Sequence, residues 1–368
     1  MIAKLIVSES VHHSDMRYAT GFAATDEFIY IEPAGGSPLM AVSALEYSRA
    51  KVEARRGVQV REVSRFSRES TISAVLKAAA EFNIDTFEVP SDFPLGLADG
   101  LRGAGIAVLP IHGAFFSARE FKTADEADAV RRALRITEKG MARAFQIIAD
   151  AEVAADGILT LGGGVLTSER LRAEIEVEFV RNGAAADSTI VAGGVQSAQP
   201  HCIGYGPLYA HTPIVMDLFP RDQSTGYWGD LTRTVVKGSA PDVVSGAFEA
   251  VLDARDGAKR LIRRGAIPVG IHNFAHDLLA SRGFPTGENS SGSYGFFHGL
   301  GHGVGLDIHE QPRINTSNVR PLRGGEVVTV EPGVYYPDWG GVRLEDMVYV
   351  TGNGCDCLTE IETFLEIQ

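Results

Sequence analysis

The feature that most constrains the fold of this chain is a set of acidic residues inside otherwise apolar strand patterns. Residues 214–219 read IVMDLF, with Asp217 in the middle, and residues 327–331 read VVTVE, ending on Glu331. Burying a carboxylate without a partner costs on the order of several kcal/mol. A fold therefore keeps such residues only where basic groups or metal ions neutralise them.

Each of these acids has a second acid beyond a turn. The midpoint between Asp217 and Asp230 falls inside the polar turn that joins their segments, so the spacing predicts a hairpin in which the two acids face each other. Glu331 and Glu345 are likewise equidistant from the turn between them and predict a second hairpin of the same kind. Like charges directly opposed in a sheet are destabilising, so both hairpins indicate a cation site.

A histidine-rich segment lies between the two predicted hairpins. Residues 298–310 read HGLGHGVGLDIHE, which places three imidazoles on a glycine-rich backbone that can approach a site closely. A single Asp in a strand or a single His is usually structural, but this repeated arrangement is not explained in that way. Carboxylates with an imidazole suit two divalent ions such as manganese, cobalt, iron or zinc. The predicted ligands are Asp217, Asp230, Glu331 and Glu345, together with an imidazole of this segment.

The length of 368 residues exceeds one ordinary core and predicts two domains. Residues 1–120 alternate strand and helix patterns, among them a strand at Phe28–Glu32 and a helix at Thr71–Phe82, and are expected to form an α/β domain. They contain no constellation of catalytic type. A long helical pattern begins near Ala124, so the second domain is placed at residues 121–368.

The second domain repeats its own pattern loosely. Helical patterns at about 124–151 and 167–182 precede a strand-rich stretch that ends at Asp230. Patterns at about 242–264 and 270–282 precede another such stretch. The common order predicts an internal duplication about a pseudo-two-fold axis.

Composition restricts partners and location. A net charge of −13 disfavours binding to nucleic acid, and the sequence has no apolar stretch approaching the roughly 18 residues that would cross a bilayer. The three cysteines, Cys202, Cys355 and Cys357, are too few and odd in number for a disulfide framework. A cytoplasmic location is expected.

Several stretches carry a resemblance to a known family. They read PHCIGYGPL, IVMDLFP, GYWGDLTRTV, HGLGHGVGLDIHE, VVTVEPGVYY and GGVRLEDMVYV. They resemble the pita-bread metallopeptidases, and most closely the branch of Xaa-Pro aminopeptidase and Xaa-Pro dipeptidase (prolidase). The segment RYATGFAATDEFIYIEP resembles the N-terminal domain of the same branch and of creatinases. The resemblance implies an α/β N-terminal domain, an α+β pita-bread catalytic domain and a homodimer.

The resemblance also implies roles for the five ligands. Asp217 would bind one metal ion, Asp230 and Glu345 would bridge both ions, and His302 would complete the second ion together with Glu331. Glu331 would also carry the proton from the attacking water to the leaving amine. Manganese or cobalt is favoured as the metal, and zinc or iron also suits the set.

Four further residues match positions that contact substrate in the family. His201 and His309 would hydrogen-bond the substrate carbonyl and the tetrahedral oxyanion, and His298 would line the proline-side pocket. Arg343 would lie near the metal site and pair with Asp217 or with a substrate carboxylate. The expected substrate is a small peptide containing proline.

The sequence leaves two alternatives and the substrate open. An enzyme of this fold could hydrolyse or lyse a small non-peptide metabolite, or the chain could be a non-catalytic binding module. Members of the fold that lack metal, such as creatinase, also lack most ligands, whereas all five are present here. Asp217 and Asp230 are thirteen positions apart, two more than is usual in the family, and the longer loop leaves dipeptidase and aminopeptidase activity both open.

Overall fold

The computed structural model describes residues 1–186, 188–290 and 292–368. The chain divides into two compact units, Met1–Arg119 and Glu120–Gln368. Within the described residues, none of the helices combines the length and the apolar character that a membrane crossing requires.

The first unit is built on one six-stranded mixed sheet. Its strands have the spatial order β4-β3-β2-β1-β5-β6. The strands are β1 Ile2–Ser8, β2 Phe28–Pro33, β3 Leu39–Val42, β4 Gln59–Glu62, β5 Thr86–Pro90 and β6 Ala107–Ile111. The helices are α1 Ser14–Thr20, α2 Ala44–Glu53, α3 Thr71–Glu81 and α4 Leu95–Gly103.

The predicted α/β elements of this unit are confirmed, and one central element was missed. Sequence analysis did not recognise the N-terminal apolar run as a strand, yet β1 lies in the middle of the sheet, antiparallel to β2 and parallel to β5. Leu5 and Ile6, neighbours on opposite faces of β1, are both fully buried. A strand covered on both faces shows no alternation of apolar and polar residues, so its pattern resembles any short apolar run.

The second unit contains four α-helices and eighteen short strands among its described residues. The helices are α5 Ala124–Asp150, α6 Ser168–Arg181, α7 Asp242–Leu261 and α8 Pro268–Ser281. The strands of the first half are β7 Glu152–Val153, β8 Leu159–Leu161, β9 Gly164–Val165, β10 Ala184–Ala185, β11 Ile190–Gly193, β12 Ile214–Leu218, β13 Arg221–Asp222 and β14 Leu231–Lys237. Those of the second half are β15 Gly287–Asn289, β16 Gly292–Tyr294, β17 Gly301–Gly303, β18 Glu310–Ile314, β19 Val327–Val330, β20 Gly333–Tyr336, β21 Gly340–Arg343, β22 Asp346–Val350, β23 Cys355–Cys357 and β24 Glu366–Ile367.

The four predicted helices of this unit are confirmed to within three residues at each end. Helix α5 begins where it does because Thr123 and Glu126 form a reciprocal capping box. Each helix pair precedes a sheet, β11-β12-β14-β24 after α5 and α6, and β18-β17-β19-β22-β23 after α7 and α8. The predicted order of a helix pair followed by strands is therefore present twice.

The second predicted hairpin has the expected register. Val330 pairs with Asp346 in the β19–β22 ladder, and Gly333 pairs with Arg343 in the β20–β21 ladder. One register therefore runs through both ladders. Glu331 and Glu345 lie at the junction between the two ladders, at opposed positions in that register.

The register predicted for the first hairpin is wrong by two residues. Asp217 pairs with Thr232, not with Asp230, which directly precedes β14. The cause is the turn, where the Asp222 carboxylate accepts hydrogen bonds from the backbone and hydroxyl of Ser224 and moves the centre of the hairpin one residue along the chain. Asp230 remains on the same face of the ribbon as Thr232, because residues two apart in an extended chain point to the same side.

Candidate metal centre

The sequence-predicted site residues come together around one cavity of the second unit, about 660 Å³ in volume. Its lining combines carboxylates and imidazoles with two arginine side chains. All nine residues singled out from the sequence line it: His201, Asp217, Asp230, His298, His302, His309, Glu331, Arg343 and Glu345.

Three of the predicted ligands form a tight group. Asp230, His302 and Glu345 each offer one ligand atom, and these atoms all lie within 4.8 Å of one another. The three residues are only 4%, 6% and 2% exposed. A buried group of two carboxylates and one imidazole has the composition of a divalent-cation site.

The hydrogen bond of His302 to the backbone directs its unprotonated ring nitrogen at this group. Its Nδ1 lies 3.1 Å from the carbonyl oxygen of Gly303, and because a carbonyl only accepts, Nδ1 carries the proton. The unprotonated Nε2 then faces Asp230 Oδ2 at 3.6 Å and Glu331 Oε1 at 3.3 Å. These three atoms all present lone pairs to one another, an arrangement that suits a bound cation. An imidazole oriented by a backbone carbonyl is typical of metal ligands.

The electrostatics of the cluster agree with this arrangement. Burial and the negative charge of Asp217 hold the pKa of Asp230 well above its ordinary value. Burial and the charge of Asp230 do the same to the pKa of Glu345, and burial raises the pKa of Glu331 to about 8. Burial lowers the pKa of His302 to about 3, so that imidazole is neutral. Negative charge at these carboxylates therefore needs a cation, and the residues fit divalent metal.

Arg343 pairs with one of the predicted ligands. Its Nη2 donates to Asp217 Oδ2 at 2.6 Å, its Nη1 donates to the hydroxyl of Tyr335 at 2.8 Å, and its Nε donates to Thr232 Oγ1 at 3.2 Å. Burial alone would lower the pKa of this guanidinium, but the opposing influence of Tyr335 and Asp217 holds it above its ordinary value. Of the two partners considered from the sequence, Asp217 is the one that Arg343 contacts.

Thr232 connects this arginine to a second predicted ligand. Its hydroxyl donates to Glu345 Oε2 at 2.8 Å while accepting from Arg343. Because a hydroxyl has one proton, that proton is committed to the carboxylate. Thr232 is fully buried, and it orients Glu345 towards the cluster.

His298 uses both of its ring nitrogens within the protein. Nδ1 donates to the carbonyl oxygen of Gly299 at 2.8 Å, so Nε2 accepts from the hydroxyl of Tyr335 at 2.9 Å. Burial and the positive charge of Arg343 lower the pKa of His298 to about 3. This neutral histidine presents a ring surface to the cavity, without a free hydrogen-bonding nitrogen.

The remaining two histidines are exposed at the cavity. The ring of His309 stands nearly perpendicular to that of His302, with centroids 4.4 Å apart. Burial and the charge of Arg313 lower the pKa of His309, so it is neutral near pH 7 and carries one ring N–H. His201 lies in the loop after β11 and also lines the cavity.

Sequence reasoning missed three residues of the site, Arg313, Tyr335 and Thr232. Arg313 lies in β18 and lines the cavity with a cationic side chain. Its position four residues after His309 was a usable signal, because the two lie on one edge of the same hairpin. The roles of Tyr335 and Thr232 depend on contacts across the sheet and have no local signature.

The fold and these donors define an enzyme class whose site holds divalent cations beside an open cavity. The model of the metallopeptidase family M24 matches residues 128–352. The chain belongs to this family, and the predicted resemblance to the pita-bread metallopeptidases is confirmed. Its metal dependence follows from the family and from the fit of the cluster described above.

Similar proteins cover nearly the whole chain. An Xaa-Pro dipeptidase of Pyrococcus horikoshii is 31% identical over 341 residues, which is 90% of this chain and 87% of that protein. The crystal structure of an X-Pro aminopeptidase from Thermotoga maritima has a TM-score of 0.85 at 25% identity, over 100% of this chain and 97% of that one. The prolidase from Pyrococcus furiosus has a TM-score of 0.79 at 26% identity, over 98% and 96%. The predicted fold, an α/β N-terminal part followed by the pita-bread domain, is confirmed.

Proposed function

We propose that this metallopeptidase hydrolyses the bond before proline in Xaa-Pro dipeptides or short Xaa-Pro peptides. The observation that carries the proposal is the buried Asp230, His302 and Glu345 group beside a cavity large enough for a dipeptide. Relatives named for Xaa-Pro cleavage support the substrate class. They do not favour the alternative of a small non-peptide metabolite.

The chain offers ligands for two divalent ions. Asp217, Asp230 and Glu345 would serve one ion, and Asp230, His302, Glu331 and Glu345 the other, with Asp230 and Glu345 shared. Divalent ions bound there would lower the pKa of water and polarise the scissile carbonyl. Manganese or cobalt is proposed as the metal, and zinc or iron suits the same donors.

Glu331 is proposed to move the proton. Burial raises its pKa to about 8 in the metal-free protein, and a carboxyl beside the attacking water can accept and return a proton. Thr329 donates its hydroxyl to Glu331 Oε1 at 3.2 Å, which leaves Oε2 for the proton. Glu331 would take the proton of the attacking water there and give it to the proline nitrogen.

The exposed histidines are proposed to bind the reacting carbonyl. His309, which is neutral, and His201 each have a ring N–H for the carbonyl oxygen and for the oxyanion that develops from it. His298 would contribute a wall of the proline pocket through its ring face, since both of its nitrogens are engaged.

The two arginines of the cavity are proposed to divide their roles. Arg343 would position Asp217, because its guanidinium is already shared between Asp217, Tyr335 and Thr232. It would also form part of the wall of the proline pocket. Arg313 would pair with the carboxylate of a dipeptide, the negative group that distinguishes a dipeptide from the start of a longer chain.

We also propose residues 121–368 as the catalytic domain and residues 1–120 as the N-terminal α/β domain. All proposed site residues lie in the former. A homodimer is proposed from the family resemblance. A cytoplasmic location is proposed from the three cysteines, each of which is a free thiol.

The test is a panel of Ala-Pro, Ala-Pro-Ala and Ala-Ala, assayed with manganese or cobalt and again with a chelator. We expect turnover of the proline peptides only, and loss of turnover with chelator. Asp230→Ala and Glu345→Ala should each lower bound metal as well as activity, as measured by elemental analysis. Failure to cleave either proline peptide would contradict the substrate, and full metal occupancy in both variants would contradict the ligands.

A further inference from the structure

The turn at residues 303–310 decides where His309 lies. It joins β17, which carries His302, to β18, which begins at Glu310. Gly303 pairs with Glu310 at its base. Since His309 directly precedes Glu310, a shift of this turn would displace the His309 ring from its place beside His302.

The carboxylate of Glu310 bonds to the backbone of the same turn and to a lysine. Glu310 Oε1 accepts a hydrogen bond from the backbone N–H of Asp307 at 3.1 Å, within the same turn. Glu310 Oε2 accepts from Lys122 Nζ at 2.8 Å. The Lys122 and Glu310 side chains are only 2% and 7% exposed. Such a buried ion pair is weak evidence for stability, but removal of one partner deprives the other buried charge of a counter-charge at hydrogen-bond distance.

Lys122 is held by a different part of the unit. It lies just before α5, and its backbone N–H donates to the carbonyl oxygen of Gly325 at 2.7 Å, in the segment that leads into β19. The backbone of Lys122 is therefore fixed beside the segment that leads into β19 and on to Glu331, and its side chain reaches the turn from there. The pair connects two parts of the metal site that are far apart in sequence.

We propose that Lys122 and Glu310 are positioning residues that hold His309 in the substrate cavity. The proposal rests on the proposed function, because it assumes that His309 contacts the substrate carbonyl. Glu310 would act on catalysis through the turn, and Lys122 through Glu310. The pair would therefore affect the reacting state more than it affects substrate binding.

The test is a double-mutant cycle between Lys122→Met and His309→Ala with Ala-Pro as substrate. We expect K122M to lower kcat about tenfold and to change KM less than about threefold. In the H309A background the same change should lower kcat less than about twofold, because the residue through which it acts is gone. Equal losses in both backgrounds, or a K122M enzyme with wild-type kcat, would overturn the proposal.

Three variants separate positioning from folding. Lys122→Arg keeps the charge and should retain kcat within about threefold of wild type. Lys139→Met, which removes an exposed lysine of α5 that donates to Asn182, is the matched control and should leave kcat unchanged. Lys122→Met combined with Glu310→Gln removes both charges of the buried pair, so it should fold even where K122M does not, and its kcat should be lowered in the same way.

A spectroscopic readout keeps the inference independent of substrate. The ring resonances of His309, assigned by comparison with H309A, should shift and broaden in K122M but not in K139M. Unchanged resonances in K122M would refute positioning. A wild-type enzyme without Xaa-Pro turnover, but with these shifts, would refute the proposed function and leave the positioning role standing.

Discussion

Thr232→Val is predicted to weaken metal binding although Thr232 is not a ligand. The substitution is nearly isosteric, so packing of the fully buried side chain is retained. It removes the hydroxyl that donates to Glu345 Oε2 at 2.8 Å and accepts from Arg343 Nε at 3.2 Å. Glu345 then loses the only side-chain donor that the described residues offer its carboxylate, and its rotation is no longer restricted.

The size of the effect follows from those two contacts. Loss of a hydrogen-bonding partner of a metal ligand typically lowers metal affinity about 10–100-fold, which corresponds to about 1.4–2.7 kcal/mol. A hydrogen bond to a charged group contributes about 1.5–3 kcal/mol to stability, so the free energy of unfolding should fall by a similar amount.

Thr234→Val is the matched control. Thr234 lies two residues along the same strand and is equally buried, but its hydroxyl donates to the backbone carbonyl of Arg343 at 2.9 Å and accepts from the Arg343 backbone N–H at 3.0 Å. The Thr234→Val protein should lose about 1–3 kcal/mol of unfolding free energy without a change in metal affinity.

The assay combines calorimetric titration of manganese into chelator-stripped protein with urea unfolding of the metal-free protein. Wild-type affinity in Thr232→Val would refute the role given to the hydroxyl. Equal weakening in Thr234→Val would show that general loosening of β14, rather than orientation of Glu345, sets the affinity.

Two further predictions concern metal removal and backbone packing. Burial raises the pKa of Glu331 to about 8 and that of Glu345 well above its ordinary value. These carboxyls therefore stabilise the metal-free fold fully below their unfolded pKa of about 4. This contribution to stability is lost as the pH rises towards 8. Chelator-treated protein should therefore melt at a lower temperature at about pH 8 than at about pH 5.5, and added manganese should remove the difference; a metal-free protein that melts higher at pH 8 contradicts this. Gly301→Ala places a Cβ against the carbonyl oxygen of Thr329, where backbone cannot yield, and should lower the melting temperature and the bound metal. Gly299→Ala, whose Cβ would meet Asn315 and Ile314 at 3.4 Å, should have little effect on melting, and equal effects of the two changes would contradict the packing argument.

The candidate ligand set could be proposed from the sequence because its signal is local. An acid such as Asp217 inside a run of apolar residues would be buried at a high free-energy cost unless it had a partner. This pattern is visible within about six residues of sequence. The opposition of Glu331 and Glu345 was predictable too, since the ribbon between them is regular and symmetric about its turn.

The first hairpin was mispredicted because counting residues ignores turn chemistry. Asp222 accepts hydrogen bonds from Ser224 inside the turn, and β13 pairs with β10, so the turn is not centred between Asp217 and Asp230. The Asp222 carboxylate also accepts from Arg132 on α5, ninety positions away, which holds this turn in place. Local spacing contains no information about that contact.

By itself, then, the sequence predicted which side chains can bind metal and which strands contain or flank them, because alternation and charge conflict act between near neighbours. Only the tertiary structure decided how these side chains are used: that Arg343 faces Asp217, that Thr232 donates to Glu345, and that Lys122 reaches the turn before His309. Each of these contacts joins segments more than a hundred residues apart. Hydrogen-bond direction and ion pairing are set by what the fold places within about 3 Å, and that is a property of the packed molecule.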